Sequence, residues 1–157
     1  MARHKLDKID RTILRDLQAN GRITNVELAK NAGISAPPCL RRVRALEELG
    51  YIQNYYTELN ANMLGYGVSV FASVALRDNN ELAMKNFLDA AENMEYVREC
   101  YMVSGDKDFM IKIVAPDWDA YQRFVTEELL KMDEVHTLKS SLIMKRMFKK
   151  PGVPIEE

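Results

Sequence analysis

Around Asn60 the apolar residues of this chain change their period. Before that point they recur every three or four residues, and after it they alternate. A 3.6-residue period marks one face of a helix, and a period of two marks one face of a strand. A chain that obeys both in succession is constrained to an α+β architecture with a helical part and a part built on a sheet. The expected division is residues 1–60 for the helical module and its connecting strand, 61–150 for the sheet domain, and 151–157 for a loose tail.

In the first part, Asp7 stands where it caps a helix over residues 8–20. Ile9, Ile13, Leu14 and Leu17 form its buried stripe, and Gly21 follows as the residue just past its end. Thr24-Asn25-Val26-Glu27 has the T-x-x-E form of a capping box and opens a short helix to about residue 32. Val26, Leu28 and Ala29 lie near its buried side, and Gly33 breaks it. Ser35 is placed to cap a third helix. Pro37 and Pro38 fall in its first turn, where missing N–H groups are tolerated. Leu40, Val43, Leu46 and Leu49 supply an apolar stripe, and Gly50 ends the helix. Residues 51–59, with several Tyr, read as a strand leading out of the module.

The second part opens on the alternation Val68, Val70, Ala72, Val74, Leu76. A helix over residues 81–94 turns Ala83, Phe87, Ala90, Ala91 and Met94 inward. A strand over 96–103 and another over 109–115 are joined by the turn Ser104-Gly105-Asp106-Lys107. Asp117 caps a helix to about residue 132 that packs through Tyr121, Val125, Leu129 and Met132, and a last strand covers 135–148. The order βαββαβ is the ferredoxin-like motif, an antiparallel sheet with helices on one face. The other face offers Phe71, Cys100, Met102, Met110, Ile143 and Met147, mixed with Arg98, Lys112 and Lys145. An open face this apolar calls for a partner, and a symmetric dimer is the simplest one.

Short helices with a glycine turn between the second and third fit a winged-helix-like helix-turn-helix. On that reading the third helix enters the major groove of DNA. Ser35, Ala36, Pro37 and Pro38 lead it, and Arg41, Arg42 and Arg44 suit phosphates and guanine edges. Arg22 and Thr24 stand at the start of the second helix, within reach of a phosphate. A plain helical bundle whose Arg residues are a solvated face fits the pattern equally well. Residues 1–65 hold ten Lys/Arg against seven Asp/Glu, and the remainder twelve against sixteen, so the first part suits a polyanion better.

Other classes find little support. Cys39 and Cys100 form no CxxC, so a reducing compartment is expected. Met1 to Asp10 has no apolar core of a signal peptide, and no apolar run approaches the ~18 residues of a membrane span. His4 and His136 are isolated, so no metal set is expected. Gly65-Tyr66-Gly67 belongs to no phosphate-binding glycine motif. No nucleophile and base can be paired, which argues against an enzyme.

The stretch LDKIDRTILRDLQANGRITNVELAKNAGIS, followed by CLRRVRALEELGYI, resembles the opening of the Lrp/AsnC ("feast/famine") transcription regulators. VSGDKDFMIKIVAPDWDAY resembles their ligand-responsive domain, so the likeness covers residues 6–149. PPCLRRVRALE and VSGDKD stand nearest the leucine-responsive branch. The resemblance implies a bacterial, cytoplasmic and nucleoid-associated regulator of amino-acid metabolism. It implies double-stranded DNA as partner, a homodimer that assembles further to an octamer, and an amino-acid effector such as leucine, with no other cofactor. A local regulator of one catabolic operon, or an effector-independent architectural protein, is the alternative.

The resemblance places the effector near the hairpin at Ser104-Gly105-Asp106-Lys107, in a cleft between neighbouring dimers. A zwitterion needs an anion, N–H donors and an apolar pocket. Asp106 or Asp108 suits the ammonium, and backbone N–H groups around Gly105, in the turn opened by Ser104, or at the start of the helix capped by Asp117 suit the carboxylate. Trp118, Leu142 and Ile143 suit the walls. Trp118 stands where the family leads one to expect a smaller residue, which bears on the size of the ligand. Read alone, the same turn is simply one that favours Gly and Asp.

Overall fold

A computed structural model describes residues 5–156; His4 lies outside them. The chain divides into two compact units, one running to Glu58 and resuming at Phe148, the other spanning Leu59–Met147.

The first unit holds α1 (Lys8–Ala19), α2 (Asn25–Ala32) and α3 (Ala36–Glu48). Its core is Ile13, Leu28, Ala29, Cys39, Val43 and Leu46, with Ile9, Leu14 and Leu17 packed against it. The sequence places several residues differently. Val26 is 70% exposed rather than inward. The buried stripe of α3 is Cys39, Val43 and Leu46, while Leu49 is exposed. The 3-4-3 spacing from Ala36 follows the 3.6-residue period better than the uniform threes from Leu40. Asn20, in extended conformation, ends α1, and Gly21 takes no left-handed angle. Residues 51–59 form no strand within the chain.

The segment from Phe148 returns to this unit instead of hanging loose. The Gln18 side-chain amide donates to the Val153 carbonyl (2.7 Å), and the Val153 N–H donates back to Gln18 Oε1 (2.9 Å). Lys149 Nζ lies 3.4 Å from a Glu58 carboxylate oxygen.

The second unit holds β1 (Val68–Leu76), α4 (Glu81–Asn93), β2 (Val97–Met102), β3 (Phe109–Ala115), α5 (Trp118–Glu127) and β4 (Val135–Leu142). The antiparallel sheet has the order β2-β3-β1-β4, as a ferredoxin-like fold requires. One face buries Val70, Ala72, Val74, Phe109, Ile111 and Ile113 under the helices, with Phe87 of α4 stacked 4.8 Å from Phe109. From α5, Tyr121 and Phe124 fill the same core. Its α-helix stops at Glu127, and a 3-10 turn over Leu129–Lys131 completes the expected span.

Two expectations about the sheet need correction. The last strand ends at Leu142, not near residue 148. Cys100 and Met102 lie on the helix-covered face, because they pair with Ile111 and Phe109. A bulge between Val97 and Glu99 shifts β2 by one residue, and one residue is enough to exchange faces. The open face therefore carries Glu99 and Tyr101 beside Met110, Lys112 and Phe71.

Candidate nucleic-acid interface and effector site

The turn between α2 and α3 follows from local chemistry. Thr24 Oγ1 accepts the Glu27 N–H (3.2 Å), and Glu27 accepts the Thr24 N–H (3.0 Å) and hydroxyl (2.8 Å). These bonds hold the Glu27 carboxyl below its ordinary value. Thr24 thus spends its hydroxyl on the cap. At the other end Gly33 takes φ +69°, its N–H donates to Lys30 O, and the Ile34 N–H donates to Ala29 O. That is a Schellman turn, which needs a residue tolerant of the left-handed region. It re-aims the chain so that α3 begins at Ala36 with its apolar stripe turned inward.

The arginines of α3 divide. Arg41 and Arg44 are exposed on the outer face. Arg42 reaches instead to the start of α1, with Nη1 2.7 Å from both Asp7 Oδ2 and Asp10 Oδ1. Asp10 is buried, and Asp7 caps α1 in a reciprocal capping box with it. The hydrogen bonds it donates to the Asp10 and Asp7 carboxylates raise the Arg42 pKa. Arg42 is therefore a brace between helices. Ser35 sits at the N-cap position of α3 but makes no capping hydrogen bond, contrary to expectation. Ser35, Pro37 and Arg22 are exposed, while Ala36 and Pro38 are half-buried. The sequence gives no hint of the Tyr55 hydroxyl donating to Glu47 (2.8 Å), where burial and the carboxylate push the phenol up to about 12.

The residues expected around an effector fall into two groups within one chain. Ser104, Gly105 and Asp106 form the exposed tip of the β2–β3 hairpin, and Asp106 is 93% exposed with Lys107 Nζ at 3.8 Å. Asp108 has a structural duty: its Oδ2 accepts the Leu76 N–H at 2.7 Å, and its own N–H donates to Val74 O. Trp118 opens α5, just past the far end of β3, with its ring 5.1 Å from that of Tyr121. Leu142 pairs with Val70, and the Ile143 N–H donates to Ser69 O. The hairpin tip adjoins the Leu76 end of β1, while Trp118, Leu142 and Ile143 adjoin its Val68 end. At about 3.3 Å per residue the groups stand roughly 20 Å apart. Clefts of about 310 and 430 Å³ in this unit, flanking Arg98 of β2, include none of these residues. No set of His, Cys, Asp and Glu that could hold a metal occurs among the described residues, and none of their helices is long and apolar enough to cross a membrane.

Comparison with known proteins agrees with this geometry. Residues 6–53 match the winged helix-turn-helix DNA-binding family, and residues 69–153 match the Lrp/AsnC ligand binding domain. A leucine-responsive regulatory protein of Rhizobium meliloti is 46% identical over 147 residues, covering 94% of each chain. That of Escherichia coli is 40% identical over 142 residues, covering 90% of this chain and 87% of its own. A transcriptional regulator of Neisseria meningitidis, solved as an L-Met complex, superposes with a TM-score of 0.91 at 32% identity, covering 96% of this chain and 97% of its own. E. coli AsnC superposes at 0.85 with 25% identity, covering 96% of this chain and all of its own (100%).

Proposed function

The chain belongs to the Lrp/AsnC family of DNA-binding transcriptional regulators, and from that premise we propose that it controls amino-acid metabolism genes by coupling operator binding to an amino-acid effector. The observation that carries the DNA half is the outer face of α3, where Arg41 and Arg44 are exposed while Arg42 is withdrawn into the unit. Such a face gives base or phosphate contacts that are salt-dependent. Binding of a duplex from the protein's own upstream region, titrated at several salt concentrations, tests it. Affinity independent of salt and unchanged by Arg41→Ala counts against this docking.

The effector half rests on the hairpin tip. Asp106 is the exposed carboxylate there, and Ser104 and Gly105 bring backbone N–H groups beside it. Because Trp118, Leu142 and Ile143 stand at the other sheet end, they complete this site only from another copy. A homodimer that assembles further, to an octamer, provides such neighbours. A ligand that bridges copies then shifts assembly by its differential affinity for the two states. A small apolar amino acid, leucine or methionine, is the favoured class; the L-Met complex of the Neisseria regulator supports this choice. The protein acts in the bacterial cytoplasm at the nucleoid, with no further cofactor and no catalysis. Thermal-shift measurement across the twenty amino acids identifies the effector, since a ligand of the native state raises its stability. Asp106→Ala is expected to remove that shift and leave basal DNA affinity unchanged. A retained shift moves the site elsewhere.

A further inference from the structure

We propose that Ser35 and Pro37 together read one A·T base pair, with the proline ring against the thymine methyl and the serine hydroxyl on the adjoining base edge. The proposal rests on the helix-turn-helix reading above and adds to it the residues that set specificity.

It starts from the uncapped serine. An N-cap side chain accepts the N–H of the second or third helical residue. The other helices obey this rule: Asp7 takes the Asp10 N–H, Thr24 that of Glu27, Asn80 that of Ala83, and Asp117 that of Ala120. In α3 the second and third helical residues are Pro37 and Pro38, and neither has an N–H. No rotamer lets Ser35 cap its helix. Its exposed hydroxyl keeps its donor and its acceptors for a partner outside the chain.

The same prolines decide what that partner is. A helix start grips a phosphate through its free N–H groups. Here two of those groups are gone, so the leading end of α3 is poor at holding a phosphate. It offers a rigid apolar ring and a hydroxyl instead. In the major groove the thymine methyl is the apolar feature, and a serine hydroxyl reads the adjoining donor or acceptor. Pro37 is exposed and Pro38 half-buried, so the first ring is the one presented. Arg41 follows four residues later on the same face, one turn further along the groove. The inner stripe Cys39, Val43 and Leu46 fixes which way this face points.

The test uses the full-length protein and duplexes it enriches from a random-sequence pool. Each thymine of an enriched duplex is replaced in turn by deoxyuridine, which removes only the 5-methyl group. One replacement per half-site is expected to weaken wild-type binding about fourfold, as for the loss of one buried methyl. That penalty should vanish in Pro37→Gly. Ser35→Ala should weaken binding to the enriched duplex yet keep the deoxyuridine penalty at the same pair. If wild type tolerates every replacement, the proposal is overturned while the enrichment itself upholds the DNA-reading helix. Equal penalties in wild type and Pro37→Gly also overturn it. Failure to enrich any sequence removes the helix-turn-helix reading and this proposal together. Should Pro37→Gly fail to fold, the wild-type scan and Ser35→Ala still decide.

Discussion

Adjacent arginines on α3 have opposite surroundings. Arg42 joins two carboxylates at the start of α1, one of them the buried Asp10, whereas Arg41 faces outward. Arg42→Ala leaves Asp10 without its cation and is expected to cost about 1–3 kcal/mol, discounted because the guanidinium itself is partly solvated. Arg41→Ala should leave stability unchanged. It should weaken DNA binding by ~1–3 kcal/mol if it reads a base, or lower the salt slope by about one if it holds a phosphate. Urea unfolding and salt-titrated binding on both variants separate the roles; equal effects on stability contradict the brace. Asp7 gives the pH dependence. Its carboxyl lies below its usual 3.8, first through the hydrogen bond from the Asp10 N–H and then through Arg42. A folded pKa below the unfolded one stabilises the fold above the ordinary carboxylate range, and that gain is lost as pH falls through the folded value. Asp7→Asn should therefore flatten the loss of stability below about pH 4 in thermal melts; an unchanged acid limb assigns it elsewhere. The arginine cluster and the capping aspartate were legible in the sequence. Which arginine pairs inward was not, because its partners lie 35 and 32 residues away.

At the scale of elements, helices were read with more success than strand faces. The caps at Asp7, Thr24 and Asp117 are local hydrogen bonds between residues three apart, so spacing alone announces them. A strand's facing depends on register, and the bulge in β2 reverses Cys100 and Met102 with nothing in the local pattern to mark it. One signal for the divided effector group was available. The seven-residue strand β3 lies between the hairpin tip and Trp118, so the two must stand at opposite ends of the sheet. Likewise, no pattern distinguishes residues 51–59 as unpaired, since an extended segment becomes a strand only when a partner reaches it. The contact that holds α4 to the sheet is Phe87 on Phe109, both fully buried. Phe87→Ala removes a ring from a closed core and is expected to cost about 3–5 kcal/mol, read by urea unfolding. A cost under about 1 kcal/mol would mean that the helix is held mainly by other contacts.

At the scale of the whole molecule, the order of residues is not the order of units. The chain leaves its first unit at Glu58, builds the second, and comes back at Phe148. The return depends on Gly152, whose left-handed angle and missing Cβ leave room for the Gln18 amide that clasps Val153. Two connections therefore join the units, and residues 59–147 form a self-contained body with its own core. That body keeps one sheet face uncovered by its own helices, carrying Phe71 and Tyr101 at 37% and 50% exposure beside Met110. Exposed apolar groups on an open sheet face favour coverage by another copy. A twofold axis parallel to such a face packs it against its own copy, and its charges can pair across as well as its rings. Residues 59–147 expressed alone are thus expected to sediment as a dimer at micromolar concentration, without the DNA-binding unit. Tyr101→Glu places extra carboxylates on this open face and should shift that fragment toward monomer while its far-UV spectrum stays unchanged. A folded fragment that sediments as a monomer at that concentration before any substitution refutes the sheet face as the dimer contact. The link between copies would then belong to the first unit, and effector binding at the hairpin tip would need another route to the operator.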